Sequence, residues 1–420
     1  VDWNSQQERA LKAVDRWIKD DSESCPQVFR LFGFAGTGKT TLAKHLAANV
    51  DGLVLFAAYT GRAAHVLLKN GAPNADTIHA LIYYTAEKSK EKLKELQTTL
   101  DDLIKELKLF PLVDDKESTR KKFIDEHVKV ISLRRQIKEE KSNASKPYFV
   151  LNQDSRVKDA KLLVIDEVSM VNEEMGRDLE SFGTKILVLG DPFQLQPTMG
   201  LGYFTSQEPD ILLTQVMRHD NDILELATNL REKIPLKVGH YGDVSIITPE
   251  ELNSDMAMDA DQILLGTNKK RHAINRRMRQ LHGYPENYPV AGDKIVCTRN
   301  EKAAGLLNGA IWYVNETFAE DDKLERMGEV ELMIKDSPSS EHVKSVLAHT
   351  NPFLGLDLPA WAMSEASCFD WGYALTVHKA QGSQFENVLL FDHSRVFRRE
   401  KWQWLYTGVT RAQEKLTIVV

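Results

Sequence analysis

Gly33-Phe34-Ala35-Gly36-Thr37-Gly38-Lys39-Thr40 decides the fold. The stretch carries the phosphate-loop spacing, a glycine followed after four residues by Gly-Lys-Thr. It stands between an apolar run, residues 28–32, and a helix-forming segment, residues 40–49. Glycines at these places let successive backbone N–H groups turn toward one anion, and the helix N-terminus behind them adds its dipole. In that pattern Lys39 holds the β- and γ-phosphates of ATP and the Thr40 hydroxyl ligates Mg²⁺. The expected nucleotide contacts are Gly33, Ala35, Gly36, Thr37, Gly38, Lys39, Thr40 and Thr41.

Working outward, residues 53–58, 162–165 and 186–189 share the character of 28–32: each is apolar throughout and each runs into turn residues and a new element. Such runs mark strands buried on both faces, as in a parallel sheet. Helices must supply the cover, and residues 40–49 and 61–69 do so. The fold class read here is α/β, doubly wound.

Two segments break the pattern. Between residues 83 and 147 the chain turns rich in lysine and glutamate, and Leu93, Leu96, Leu100, Leu103 and Leu107 recur at alternating steps of three and four. That is a coiled-coil seam. Ser118 is placed to cap a second helix whose Phe123, His127, Val130 and Ile137 keep similar spacing, so an antiparallel helical hairpin is expected. Its tip, Leu109, Phe110, Pro111 and Leu112, would expose apolar groups, to pack on a neighbouring domain or to act as a wedge against a duplex or a partner. From residue 291 to 367, short alternating runs separated by charged turns and by Asn308-Gly309 read as a small β-rich module. The domain boundaries expected are 1–82 with 148–205, the hairpin 83–147, then 206–290 with 368–420, and the β-rich insertion 291–367.

Chemistry concentrates at strand ends. Asp166 and Glu167 follow the third apolar run, where an open α/β sheet presents its ligand site. Asp166 would hold Mg²⁺ and Glu167 would orient or deprotonate the attacking water. The fourth run ends in Gly190-Asp191-Pro192-Phe193-Gln194, and the uncharged amide of Gln194 suits a γ-phosphate or its water without placing an isolated charge in the interior.

Composition bounds the rest. The 420 residues are 42% hydrophobic and 27% charged, as in ordinary globular domains, which excludes a disordered or collagen-like chain. Lys plus Arg number 54 against 61 Asp plus Glu, a net charge of −7, so a nucleic-acid contact must come from a local basic groove. Cys25, Cys297 and Cys368 lie far apart, which argues against a zinc site or a disulfide framework and fits a reducing compartment. No run is long enough for a membrane span and the opening residues lack a signal-peptide core, so a cytoplasmic protein is expected, in a bacterium or a phage-infected cell.

Together these segments resemble the superfamily 1B helicases, in particular the RecD-like and phage Dda-like branch. Residues 55–64, LFAAYTGRAA, are similar to motif Ia, and Asp76-Thr77-Ile78-His79 to the Thr-Ile-His element after it. Gln7 resembles the adenine-reading glutamine, with Gln6 adjacent. Leu213 to Arg218 resembles motif IV, with Arg218 as a phosphate-contacting arginine, and residues 264–277 resemble motif IVa. Residues 374–383, ALTVHKAQGS, are close to motif V, and residues 406–412, YTGVTRA, to motif VI. The resemblance implies two RecA-like P-loop NTPase domains, with an SH3-like β insertion in the second. It implies catalytic roles for Lys39, Asp166, Glu167, Gln194, Arg218 and the arginine finger Arg411, and a nucleotide contact from Gly382. It also implies strand contacts from Tyr59, Thr60, Arg62, Thr77, His79, Thr267, Asn268, Thr376 and His378. Without the family, Arg411 reads equally as a structural ion-pair partner, and Tyr59, His79 and His378 as core groups. Tyr59 stands where motif Ia usually has proline, Gln196 replaces a motif III proline, and Gln384 stands where many relatives are acidic. The long helical hairpin replaces a short β pin.

The activity so implied is ATP-dependent 5′→3′ movement on single-stranded DNA and unwinding at duplex junctions, by a monomer, with Mg²⁺ and ATP. An RNA helicase is the alternative within the superfamily. A nucleotide-switched remodelling subunit, binding a single-strand-binding or replication protein through the 83–147 hairpin, is the alternative from another class.

Overall fold

A computed structural model describes residues 2–86, 91–111, 116–144, 148–196, 202–216, 222–284, 287–301, 304–319, 328–356 and 367–420. Its first sheet is all parallel, in the order Ala75–Thr77, Val54–Ala58, Leu162–Asp166, Ile186–Gly190, Val28–Gly33, Ile211–Leu213. Alternate residues of each strand enter different cores. Phe29, Leu31, Leu162 and Val164 pack with the helices Ser5–Lys19, Lys39–Ala47 and Gly61–Lys69, whereas Val28, Phe32, Leu163 and Ile165 pack on the other face with Ile78, Met175 and Leu179. Both faces are apolar, which is why the runs are continuous rather than alternating. The strand Ile211–Leu213 belongs to this sheet, so the first lobe reaches past residue 205.

The second sheet runs Ala374–Thr376, Gln262–Leu265, Phe385–Phe391, Ala412–Val419, Val244–Ile247, Gly239–Tyr241, parallel except for its last strand. The inserted module is a five-stranded antiparallel sheet, Lys344–His349, Glu329–Lys335, Ile311–Phe318, Lys294–Cys297, Phe369–Trp371. It therefore keeps its last strand through residue 371. One helix of the second lobe, Asn268–His282, grips both chain crossings into the insertion. Arg279 pairs with buried Asp293 at 2.9 Å, Arg271 with Asp370 at 2.7 Å, and Asn275 between them bonds both backbone groups of Ala374. Positions 271, 275 and 279 recur at steps of four and so lie on one helix face.

Residues Tyr84–Val150 form a separate compact unit. It contains the helices Glu91–Leu109, Glu117–Glu126 and Val128–Ala144 around buried Leu107, Ile124 and Val130, with Leu100, Leu103, Ile104 and Phe123 against them. The second arm is thus two helices, not the single one expected, with extended backbone at His127 (φ −69°, ψ 123°). A continuous helix would set Ile124 and Val130, six positions apart, about 120° apart around its axis. The break lets both face Leu107. Of the expected tip, Leu109 and Phe110 are exposed, 86% and 53%, and Phe110 stacks on Phe123 at 5.6 Å; Leu112 lies outside the described residues. The strands Tyr83–Ala86 and Tyr148–Leu151 pair at the base of the insertion. Among the described residues no helix is long and apolar enough to cross a membrane.

Candidate nucleotide and nucleic-acid site

The phosphate loop leaves the strand Val28–Gly33 between two parallel neighbours and ends at the helix Lys39–Ala47. Gly36 and Gly38 hold φ of 78° and 80°, a backbone that side chains other than glycine rarely adopt. Lys39 folds back on the loop, its Nζ donating to the carbonyl oxygens of Gly33 at 2.7 Å and Phe34 at 3.0 Å. Thr37 is buried and donates to the Phe34 carbonyl at 2.9 Å; Gly36 and Thr41 are exposed.

Thr40 donates its hydroxyl proton to Asp166 Oδ2 at 2.7 Å, and Asp166 Oδ1 accepts the Glu167 N–H at 2.8 Å. The two groups expected to share Mg²⁺ are therefore already together, and the backbone of Glu167 is tied to the same carboxylate. Glu167 adopts a left-handed backbone, φ 55°, unusual for a residue with a side chain and of a kind that gathers at functional sites. Burial pushes its carboxyl pKa up. Arg411 of the second lobe opposes the rise, Asp166 adds to it and Lys39 opposes it in turn.

Gln194 is 4% exposed, and its Oε1 is buried with no hydrogen-bond partner among the described residues. An orphaned buried acceptor is costly unless something meets it, and a water or a protonated phosphate oxygen would do so. Together with an ammonium resting on neutral carbonyls, it makes the pocket fit a magnesium-bound nucleoside triphosphate. Gln7 rather than Gln6 faces the loop. Its Nε2 donates to the Thr37 carbonyl at 3.0 Å, and its Oε1 closes a capping box on Asn4. An adenine contact from Gln7 would replace the Thr37 bond. Gln6 instead holds Thr214 and Gln215.

The second lobe reaches the loop through its helix Lys401–Val409 and the turn after it. Arg411 is 3% exposed and donates to three neutral acceptors, the carbonyls of Thr407 and Ser383 and the Thr410 hydroxyl. The segment after Asp191 is held there as well: Leu195 N–H donates to Thr407 Oγ1 at 3.0 Å, and Gln381 Nε2 to the Leu195 carbonyl at 3.1 Å. Two groups were assigned no role from sequence, although Tyr406 opens the segment that resembles motif VI. Tyr406 bonds Ala35 and Asp191, and Arg231 lies over the Phe34 ring at 3.5 Å. Arg218 lies outside the described residues. Gly382 has Ala63 and Thr60 of the first lobe as neighbours.

The expected strand contacts fall into three groups. Thr60, Thr77, Thr267 and Thr376 each accept the N–H of the residue three positions on, capping a helix or turn. Their positions are those of caps, with the following backbone N–H groups presented beyond them. Asn268 supports Arg271 through its Oδ1. Tyr59, His79 and Tyr83 form a ring cluster, 5.8 and 5.7 Å between centroids, and His378 lies 5.3 Å from Phe397; burial lowers the pKa of both histidines, so the neutral imidazole is favoured. Arg62 is the exception, turned into a pocket with Lys294 and Trp312 and packed over Phe385 at 4.6 Å. Burial lowers it to about 10.

Comparison with known proteins places this geometry. The family described as AAA domain matches residues 4–250, and that described as UvrD-like helicase C-terminal domain matches residues 372–419. The ATP-dependent RecD2 DNA helicase of Deinococcus radiodurans is 26% identical over 291 residues, 60% of this chain and 35% of that protein. The matched part is thus about a third of the relative's length. A Pif1 helicase structure concerned with unwinding at forked double-stranded DNA aligns over 100% of this chain and 92% of its own, at 15% identity and a TM-score of 0.53. Bacteroides Pif1 bound to single-stranded DNA aligns with the same coverage at 14% identity and 0.51. These structural likenesses establish a shared fold.

Proposed function

We propose that this chain, which belongs to the AAA-domain family and to the superfamily 1B helicases, is an ATP-dependent DNA helicase that draws single-stranded DNA between its two α/β lobes. The observation that carries the reading is the environment of Glu167, a buried carboxylate in the field of Arg411 from one lobe and of Lys39 from the other. Hydrolysis at such a place is sensitive to how the lobes sit.

Lys39, Thr40 and the loop amides would bind the triphosphate, and Gln7 would meet the base. Thr40 and Asp166 would hold Mg²⁺, which when bound would supply neutralisation of phosphate charge. Glu167 would accept a proton from the attacking water, Gln194 would orient that water, and Arg411 would offset the charge that develops on the phosphoryl oxygens. The capping threonines and the Tyr59–His79 cluster suit phosphates and base faces respectively, with little demand on sequence. A lobe pair that grips a strand differently before and after hydrolysis moves along it, and equal grips would give no movement. Movement 5′→3′ is part of the proposal, as is a duplex or partner contact from the exposed Leu109 and Phe110.

Lys39→Ala tests the site. It should lose DNA-stimulated ATP hydrolysis by roughly 10²–10³, the cost of removing a preorganised charge, while binding a DNA oligomer as wild type does. Undiminished hydrolysis would reject the assignment. Equal or greater stimulation of the wild type by RNA of the same sequence would favour an RNA substrate. Tailed duplexes with 5′ or 3′ overhangs decide the direction.

A further inference from the structure

Tyr406 is 1% exposed, in a helix whose Trp404, Leu405 and Val409 pack in the core of the second sheet. Its hydroxyl leaves that core. It accepts the Ala35 N–H at 3.1 Å and donates to Asp191 Oδ2 at 2.5 Å. Ala35 belongs to the phosphate loop, and Asp191 directly follows the strand Ile186–Gly190 of the first sheet. One phenol of the second lobe therefore holds two parts of the first. The ring is fixed edge-on against Phe193 at 5.2 Å, and Thr407 beside it holds the Leu195 N–H.

The direction of the chain matters. A hydroxyl has one proton, and here that proton goes to Asp191, so the oxygen is left to accept from Ala35. The other Asp191 oxygen takes the Phe193 N–H at 3.0 Å, which leaves the buried carboxylate satisfied only while Tyr406 stays. The Ala35 N–H is one of the loop's backbone donors, the kind of group that closes round phosphate oxygens.

We propose that Tyr406 is a positioning residue that reports occupancy of the phosphate loop to the second lobe, its hydroxyl competing with phosphate oxygens for the Ala35 N–H. The inference rests on the helicase reading above. When the loop is empty, the hydroxyl ties the helix Lys401–Val409 to it. When a phosphate oxygen takes that N–H, the hydroxyl keeps only Asp191, the helix is left with its ties to the segment after Asp191, and the lobe carrying Arg411 is free to settle differently.

Tyr406→Phe keeps the ring and removes the hydroxyl. Strand affinity is measured with and without a non-hydrolysable ATP analogue, beside the affinity for fluorescent ADP, thermal stability, and KM and kcat of DNA-stimulated hydrolysis. Wild type should show a coupling factor in the range of roughly 5- to 150-fold between nucleotide and strand. In Tyr406→Phe that factor should fall toward one and kcat should fall with it, while ADP binds as tightly as before or more tightly. A variant that retains the wild-type factor, or that loses ADP affinity in step with thermal stability as a packing residue would, overturns the inference. Should Tyr406→Phe fail to fold, Asp191→Asn carries the test. Its single oxygen must serve the Phe193 N–H and turn an amide N–H₂ toward the hydroxyl, so the same loss is expected, and an intact factor is again fatal. A wild type that neither hydrolyses ATP nor changes strand affinity with nucleotide would sink the helicase reading itself.

Discussion

Arg411 donates from Nη1 to the carbonyl oxygen of Ser383 at 3.0 Å, joining motif VI to the end of motif V. Its other bonds go to the Thr407 carbonyl and the Thr410 hydroxyl, and no described carboxylate pairs with it within salt-bridge distance. The ion-pair reading left open by the sequence is therefore not what the fold uses. A buried cation whose hydrogen bonds all go to neutral groups is well placed to meet an anion. Arg411→Ala is expected to lower kcat by roughly 10³-fold or more, with little change in nucleotide affinity. Single-turnover hydrolysis beside an ADP titration checks this. A loss of affinity as large as the loss of rate would mean that Arg411 serves binding rather than the reaction.

As the proposed base, Glu167 would make the rate depend on pH in a definite direction. Burial raises its pKa above the ordinary 4.5, and Arg411 only opposes that rise. Only the ionised form can take a proton from water, so kcat should climb as pH rises through the raised value and level off above it. For stability the sign is reversed. Between 4.5 and the raised value the native state holds the proton that the unfolded chain has lost, so this group's contribution falls as pH rises through that window. Glu167→Gln should cost roughly 10²–10⁴ in kcat and abolish the acid limb while strand binding persists. A pH–rate profile of the variant that keeps the wild-type acid limb would remove Glu167 from the role of base.

Much of this was legible because parallel strands such as Val28–Gly33 bury both faces, and because a phosphate loop needs glycines, a lysine and a threonine at fixed spacing. What stayed hidden had weak or ambiguous local signals. Ile211–Leu213 is too short to stand out from a loop, and the break at His127 follows from where Ile124 and Val130 must point, not from a proline or glycine. Thr60, Thr77, Thr267 and Thr376 were found by resemblance, yet their spacing before helices also marks them as caps. Tyr406 lay in the segment that resembles motif VI, but its own role could not be read. Six of the seven residues Trp404 to Thr410 are buried side chains around Gly408, and nothing in their order says which one sends a polar atom out of the core.

Arg279 and Asp293 offer a separate test, since they bear on how the inserted sheet is attached rather than on hydrolysis. The pair is buried on both sides, with the guanidinium 4.0 Å from the Trp371 ring and the carboxylate also accepting from Tyr373 and from the Val290 N–H. Removing one partner strands the other's charge in the interior, so Arg279→Met should lower unfolding free energy by about 3–5 kcal/mol in a urea titration. Pairing it with Asp293→Leu removes both charges and should restore part of that loss, although Tyr373 and Val290 then lack their acceptor. If the double variant is instead as unstable as the two single costs added together, the two side chains act independently, and the clamp on the insertion must lie with Asn275 and the Arg271–Asp370 pair.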